Sequence, residues 1–233
     1  GVQTCALPIS GINNTETGWG LAGETWSFMA MTAKLGGETW FNLGDRDLAT
    51  HVARTRRLRA VESLSAITTS LCERLGIAAR IVPMSDDPVR TIVVTDAGDL
   101  SFQHYFVRLK CEPVLKALRF EGAATARPAA GLLAALDDAA LGGIVICPSN
   151  PYLSVQPILE VPGLRERLAA RRVPLVAVSP IVGGRAIKGP AAKILRELGH
   201  EPSALAVARH YAGLIDALVL DQADAALAPR SEE

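Results

Sequence analysis

The chain has 233 residues, 49% hydrophobic and 21% charged, which is enough for one large or two small globular domains. Its 24 Lys and Arg residues balance its 24 Asp and Glu residues, which excludes a global field that would hold it on nucleic acid or an anionic membrane. Four scattered cysteines without CxxC spacing argue against a zinc site or a secreted disulfide framework. No apolar run approaches the roughly 20 residues of a membrane-spanning helix, so we expect a cytoplasmic protein.

The two ends of the chain are set apart from the rest. Residues 1–10 and 230–233 resemble in-frame translations of sequencing-adapter DNA, and we interpret them as non-native. Residues 11–229 are then interpreted as a single domain that is truncated at both ends.

Three helices are predicted in the first third of the chain. Apolar residues recur at helical spacing over 17–37, before a glycine pair. A second helix is predicted over 45–59, where an acidic start suits the helix dipole. Ser63 is placed to cap a third helix that ends at Gly76.

The pattern then changes to short β-branched runs. Residues 79–83, 90–95 and 101–107 are predicted as strands, the last two joined as a hairpin by DAGD. Continuous apolar runs at 142–148, 173–180 and 217–221 indicate buried parallel strands, with helices predicted over 131–141, 163–172, 190–199 and 203–215. The alternation predicts a three-layer α/β sandwich with an added helical and hairpin lobe.

Three of the β-runs end in rigid, polar loops, namely PMSDDP (83–88), PSNP (148–151) and SPIVGG (179–184). Ligands of open parallel sheets bind beyond the carboxyl ends of the strands, so we expect these loops to line one crevice. Taken alone, each loop is more typical of an ordinary turn, and it is their occurrence together that favours a ligand site.

The third loop continues as GGRAIKGPAAK. Gly183, Gly184 and Lys188 precede Pro190, which is expected at the first position of a helix. Free amides at a helix start and a nearby lysine would suit a diphosphate, although neither a Walker A loop nor GxGxxG is present. Lys193, on the following helix, is interpreted as a solvated surface charge.

The segment LGDRD (43–47) places two carboxylates around Arg46 at a helix start. Arg46 is a candidate for gripping a phosphate or a carbonyl edge, held by Asp45 or Asp47, and the alternative is a simple ion pair. Asp86 and Asp87 have the chemistry to hold a divalent cation, but adjacent acids in a turn more often face solvent. The four histidines show no metal or nucleophile pattern, so a hydrolytic triad finds no support.

Taken in series, these motifs resemble the 2-phospho-L-lactate transferase family over residues 11–224. The strings that carry the resemblance are TGWGLAGETW, LGDRDLATH, PMSDDPVRT, FQHYFVR, PSNPYLSVQPIL, VPGLRERL and VAVSPIVGGRAIKGPAAK. The family fold is a Rossmann-like α/β core with an added lobe. The composition, rich in Ala and Arg, looks actinobacterial, where the family member is similar to a phosphoenolpyruvate transferase.

The resemblance implies a magnesium-assisted transfer in the assembly of coenzyme F-420. A phospholactyl or phosphoenolpyruvyl group passes from its guanosine diphosphate conjugate to the ribityl hydroxyl of a deazaflavin, 7,8-didemethyl-8-hydroxy-5-deazariboflavin, and GMP is released. Arg46 and Asp45 match the deazaflavin side. The guanylyl and diphosphate side matches Ser149, Asn150, Ser179, Gly183, Gly184 and Lys188, with Asp86 and Asp87 as supporting residues. The resemblance is also compatible with a homodimer.

The family opens with a strand, a Gly-rich turn and an acidic segment that are not found in this sequence. We therefore expect the metal ligands to lie in that segment and the chain as given to be poorly active. Two other hypotheses stay open: a non-catalytic sensor of nucleotide sugars from the same superfamily, and a scaffold without ligand.

Overall fold

The computed structural model describes residues 11–15, 20–187 and 189–231. Described residues up to Asp86 form one compact unit and those from Asp87 onward form a second. The interpretation of residues 1–10 as non-native, and part of that for 230–233, concerns positions outside the described residues.

The first unit contains three helices, α1 (Ser27–Lys34), α2 (Asp45–Arg59) and α3 (Leu64–Arg74). Helix α2 has the predicted bounds, and the Ser63 side chain accepts a hydrogen bond from Ala66 N at 3.2 Å, so the predicted cap of α3 is confirmed. The predicted helix over 17–37 is too long. Gly20 and Gly23 adopt positive φ values of 78° and 67°, which a right-handed helix does not accept, and α1 starts only at Ser27.

The second unit begins with an antiparallel sheet of order β2-β1-β3, in which β1 is Arg90–Thr95, β2 is Gly98–Ser101 and β3 is Leu115–Glu121. A hairpin follows β1 as predicted, but its second strand is Gly98–Ser101 and lies partly within the predicted turn. Strand β3 was missed. The strand predicted over 101–107 is wrong, since His104–Arg108 form a π-helical turn that buries Tyr105 completely. The strand predicted over 79–83 is also wrong, because these residues have irregular backbone up to Pro83.

Three parallel strands follow, β4 (Ile144–Ile146), β5 (Leu175–Val178) and β8 (Ala217–Val219), in the order β4-β5-β8. A small hairpin of β6 (Ile181–Val182) and β7 (Arg185–Ala186) leaves β5. The helices of this unit are α4 (Ala130–Leu136), α5 (Gln156–Leu159), α6 (Leu164–Ala169), α7 (Ala191–Glu197) and α8 (Ala204–His210). One-turn or 3-10 segments cover Ala123–Thr125, Pro151–Val155 and Gln222–Ser231.

One face of the parallel sheet forms the main core. Neighbouring strands align apolar side chains on that face, namely Ile144, Ile146, Leu175, Ala177 and Leu218, and these pack against Leu195 of α7 and Val207 of α8. On the opposite face the edge strands leave Val145 63% and Val219 49% exposed. Parallel strands alternating with helices confirm the predicted Rossmann-like α/β class.

Candidate functional site

The LGDRD motif lies at the start of α2, as predicted, but its cap comes from elsewhere in the chain. Gly44 occupies the cap position and has no side chain to offer. Glu24 takes over this role, because its Oε2 accepts from Arg46 N at 2.8 Å and its Oε1 accepts from Asp47 N at 2.9 Å. A carboxylate there also faces the positive end of the helix dipole.

Asp45 caps the other helix in return. Its carboxylate accepts from Phe28 N at 3.0 Å and Ser27 N at 3.2 Å, at the start of α1, and from the Thr25 hydroxyl at 2.5 Å. The Thr25 hydrogen bond, followed by that of Phe28, lowers the pKa of Asp45 below its ordinary value. Asp45 therefore fixes α1 against the start of α2 and stays ionised.

Arg46 is held by backbone rather than by the acids beside it. Its Nη1 donates to Ala22 O at 2.6 Å, and its guanidinium lies over Gly23, where a Cβ would come within 3.1 Å of Nη1. The expectation that Asp45 or Asp47 holds Arg46 was therefore wrong. Arg46 is exposed, so other N–H groups of its planar fork face outward, in the form suited to a phosphate or a carbonyl edge.

Asp47 is a buried carboxylate in the same motif. It is 7% exposed, and burial, together with the charge of Glu24, raises its pKa above the ordinary value. The sequence indicated Asp47 only as a possible support for Arg46. Its burial depends on a turn around Gly20 that no local pattern predicts.

A groove of about 550 Å³ runs along the exposed side of α2. Its lining is apolar near the start of the helix and basic towards its end, and consists of Leu48, His51, Val52, Thr55, Arg56 and Arg59. All of these residues belong to α2, so the groove is an open strip of the helix surface rather than an enclosed pocket.

The predicted loops PSNP and SPIVGG follow adjacent strands, β4 and β5, and lie at the same edge of the parallel sheet. In the first of them, Asn150 Oδ1 accepts from Tyr152 N at 3.0 Å and Leu153 N at 3.1 Å, which starts the helical turn after Pro151. Its Nδ2 is buried and, within the described residues, has no hydrogen-bond partner. A buried amide donor of this kind is costly unless a ligand or water accepts from it.

Ser149 is half-buried beside Asn150 and also borders a cavity of about 220 Å³ along β4. Apart from Ser149 and Ser154, the side chains that line this cavity are apolar, so it does not suit a charged diphosphate.

In the second loop, Ser179 is 4% exposed and its hydroxyl stays within its own turn, with Ile181 N donating to it at 3.1 Å. Gly183 and Gly184 have φ values of 54° and 74°, which fits the two-residue turn between β6 and β7. These glycines therefore form a hairpin tip, and Pro190, which was expected at the first helical position, lies one residue earlier, at the N-cap of α7. Helix α7 begins at Ala191, and Lys188 lies outside the described residues.

Two residues of this region, Asp224 and Lys193, have structural roles that the sequence did not indicate. Asp224, which is 7% exposed, accepts from Gly183 N at 3.0 Å and fixes the hairpin tip. Lys193 is not a free surface charge: it donates to Glu197 at 2.6 Å, Pro113 O at 3.0 Å and the Tyr105 hydroxyl at 3.3 Å. The bond from Gly183 to Asp224 and those from Lys193 to Tyr105 and Pro113 join residues at least 41 positions apart in sequence. Local spacing therefore gave no indication of them.

Asp86 and Asp87 do not follow a parallel strand, contrary to the prediction for PMSDDP. Asp86 Oδ1 accepts from Ser65 N at 2.6 Å at the start of α3. Asp87 Oδ2 accepts from Arg127 N at 2.9 Å, the bond that contributes most to lowering its pKa. Each carboxylate therefore has a structural partner within its own unit.

The described residues do not form a magnesium site. Among the residues that the structure describes, no group of three or more His, Cys, Asp or Glu side chains comes together around a common point. Glu24 and Asp45, at the start of α2, already accept backbone and hydroxyl donors. Over the same described ranges, no helix is both long and apolar enough to cross a membrane.

These features define a Rossmann-like α/β protein whose polar loops gather at the carboxyl edge of a parallel sheet. The model of one family, 2-phospho-L-lactate transferase CofD, matches residues 23–233, and the chain belongs to this family of transferases. The resemblance stated from the motifs is confirmed.

Relatives named phosphoenolpyruvate transferase are similar over most of the chain. Those of Streptomyces griseus and Thermobifida fusca are 44% and 42% identical over 230 residues, which is 96% of this chain and 72% and 70% of the relatives. That of Mycobacterium avium is 39% identical over 235 residues, covering 96% of this chain and 69% of the relative.

A crystal structure of a Bacillus halodurans protein resembles the fold, with a TM-score of 0.51 and 16% identity. The match covers 82% of this chain and 58% of that one, so this chain spans less than two thirds of it, and the likeness concerns the fold alone.

Proposed function

We propose that the protein transfers a phosphoenolpyruvyl or phospholactyl group from its guanosine diphosphate conjugate to a deazaflavin and releases GMP, as a step in coenzyme F-420 assembly. Family membership and the names of the relatives support this, and those names favour the phosphoenolpyruvyl group. The structural observation that carries the proposal is the buried Nδ2 of Asn150 at the carboxyl edge of the sheet, which has no hydrogen-bond partner in the described parts of the chain.

On the donor side, Ser149, Asn150 and the positive charge of Lys188 are proposed to bind the guanylyl diphosphate, with Ser179, Gly183 and Gly184 shaping the adjacent loop. The Nδ2 of Asn150 supplies an N–H donor to a ligand oxygen, while its Oδ1 keeps the turn in place. Because the Ser179 hydroxyl and the Gly183 amide already have partners, their proposed part is to hold the loop in shape.

On the acceptor side, Arg46 is proposed to contact the deazaflavin, and Asp45 keeps the supporting turn in position. The exposed guanidinium is fixed at one end by Ala22 O, so little side-chain entropy remains to be lost on binding. Asp86 and Asp87 are proposed only to support their own loop. Magnesium stays an expectation from the family, because the described residues do not form its site.

The test is an assay of GMP release with deazaflavin, magnesium and each guanylyl donor. It is run on the 233-residue chain and on the protein encoded by the gene recovered from the source DNA. Asn150→Asp keeps the capping oxygen but replaces the N–H donor by a negative oxygen, and we expect kcat/KM for the donor to fall about 30- to 100-fold, or about 2–3 kcal/mol.

Arg46→Ala is expected to cost about 10- to 100-fold in kcat/KM for the deazaflavin. The matched control is Arg74→Ala, an exposed arginine at the end of α3, which should leave kcat/KM unchanged. GMP release that does not require deazaflavin would contradict the proposal. So would tight binding of a uridine sugar without transfer, which is the behaviour of a sensor.

A further inference from the structure

Three carboxylates near the start of α2, those of Glu24, Asp45 and Asp47, differ in the hydrogen bonds that they accept. Asp45 accepts three hydrogen bonds, and each oxygen of Glu24 accepts a backbone N–H. Within the described residues, nothing donates to the carboxylate of Asp47. Asp47 is therefore the one acid of this cluster whose oxygens are not already used by the fold.

The space around Asp47 is shaped for a carboxylate that has no protein partner. Its side chain is 7% exposed, and Oδ2 lies 3.2 Å from the point that a Cβ on Gly20 would occupy. Gly20 adopts a φ of 78° and leaves this room. The carboxylate oxygens are not among the fully enclosed atoms that lack a partner, so a donor from solvent or from a ligand can reach them. A largely buried charge that has no protein donor is still less favourable than an amide or an apolar side chain of similar size. Packing alone does not explain an acid at this position.

We propose that Asp47 is the proton acceptor of the transfer reaction, receiving the hydrogen bond of the attacking ribityl hydroxyl of the deazaflavin. As that oxygen forms its bond to phosphorus, the hydroxyl proton passes to Asp47, the bond from phosphorus to the GMP oxygen breaks, and GMP leaves with the electron pair. Asp47 adjoins Arg46, the proposed deazaflavin contact, so this inference rests on the proposed function.

The environments of the two aspartates of LGDRD support this assignment. Hydrogen bonds lower the pKa of Asp45, which makes it a poor base, whereas burial and the neighbouring Glu24 raise the pKa of Asp47. When the environment separates the pKa values of two acids in one site, the acid with the lower pKa stays charged and the other one exchanges the proton. A carboxylate with a raised pKa is the better proton acceptor near neutral pH.

The test uses Asp47→Asn in the protein encoded by the recovered gene for kinetics and in the 233-residue chain for stability. We expect kcat to fall at least about 100-fold with little change in KM for the donor, and the acidic limb of the kcat profile to disappear. The thermal midpoint should stay the same or rise, because the uncharged amide is easier to bury. Asp47→Glu should retain part of the activity. Asp99→Asn, which removes only an exposed ion pair with Arg119, is the control and should leave kcat unchanged.

A lower thermal midpoint with unchanged kcat would show that Asp47 is structural and would overturn the inference. If the wild type releases GMP and Asp47→Asn does so equally well, only the role of Asp47 fails. If the wild type releases no GMP, the proposed function fails. The role of Asp47 is then judged from deazaflavin binding, which is measured by the fluorescence of the deazaflavin. Weaker binding of deazaflavin by Asp47→Asn than by the wild type would then support a contact with the hydroxyl. Equal binding by the two proteins, or no binding by the wild type, would overturn it.

Discussion

Because Glu24 caps α2, the structure predicts how a substitution at Gly44 changes stability. A Cβ at Gly44 would overlap the Glu24 carboxylate, although the backbone of Gly44, with φ −69° and ψ 154°, is easily adopted by alanine. Gly44→Ala should therefore act only by pushing Glu24 away from the amides of Arg46 and Asp47. Its effect should match that of Glu24→Ala.

The size of this effect follows from the bonds that are lost. An N-cap contributes about 1 kcal/mol, and an anion beside a helix start adds about 0.3–1 kcal/mol. The repulsion between Glu24 and Asp47 opposes this, so we expect each single variant to lose about 1–2 kcal/mol of unfolding free energy. For a unit of this size, that corresponds to about 5–10 °C in the thermal midpoint. The double variant should lose no more than either single one.

Hydrogen exchange gives the local readout for this cycle, because the amides of Arg46 and Asp47 are the donors concerned. Both should exchange faster in each single variant, while the amides of α3 stay as they are. Additive losses in the double variant would refute the reasoning, since they would mean that Gly44 and Glu24 act independently.

Three further predictions concern the second unit. Lys193→Met should lose about 1–3 kcal/mol in thermal unfolding because three acceptors lose their donor, whereas Lys116→Met, at an exposed position of β3, should not. Asp224→Ala should speed exchange of the Gly183 amide, and Asp224→Asn, which keeps an acceptor oxygen, should restore most of the protection. Burial lowers the pKa of His210 to about 4 from 6.5, so the unfolded state binds its proton first and stability should fall by about 2–3 kcal/mol as pH drops from 6.5 to 4. His210→Phe should flatten that part of the curve of unfolding free energy against pH.

The sequence predicted well those features that depend on neighbouring residues. Ser63 was recognised as a cap because its acceptor and the Ala66 donor are three residues apart, and α2 was bounded by its acids and arginines. The loops after β4 and β5 were placed at one edge because parallel strands impose that arrangement.

The features that were missed depend on residues far apart in sequence. The cap of α2 comes from Glu24, 22 residues before Arg46. The stretch FQHYFVR has the composition of a strand, yet Tyr105 is buried in a π-helical turn and bonded to Lys193, 88 residues away. Composition favours a strand there, and tertiary contacts override it. Single-sequence patterns contain no term for such contacts.

Asn150 shows how residue type, and not only position, indicates a function in the donor loop. A cap needs a short side chain with an acceptor oxygen, and Asp or Ser would serve about as well as Asn. Only Asn adds an N–H donor, and here that donor is buried without a partner among the described residues. The same reasoning applies to Asp47, where burial favours an uncharged side chain and an acid is present instead. In both cases the local structure would be as stable, or more stable, with a simpler residue. A ligand therefore best explains the N–H donor of Asn150 and the carboxylate of Asp47.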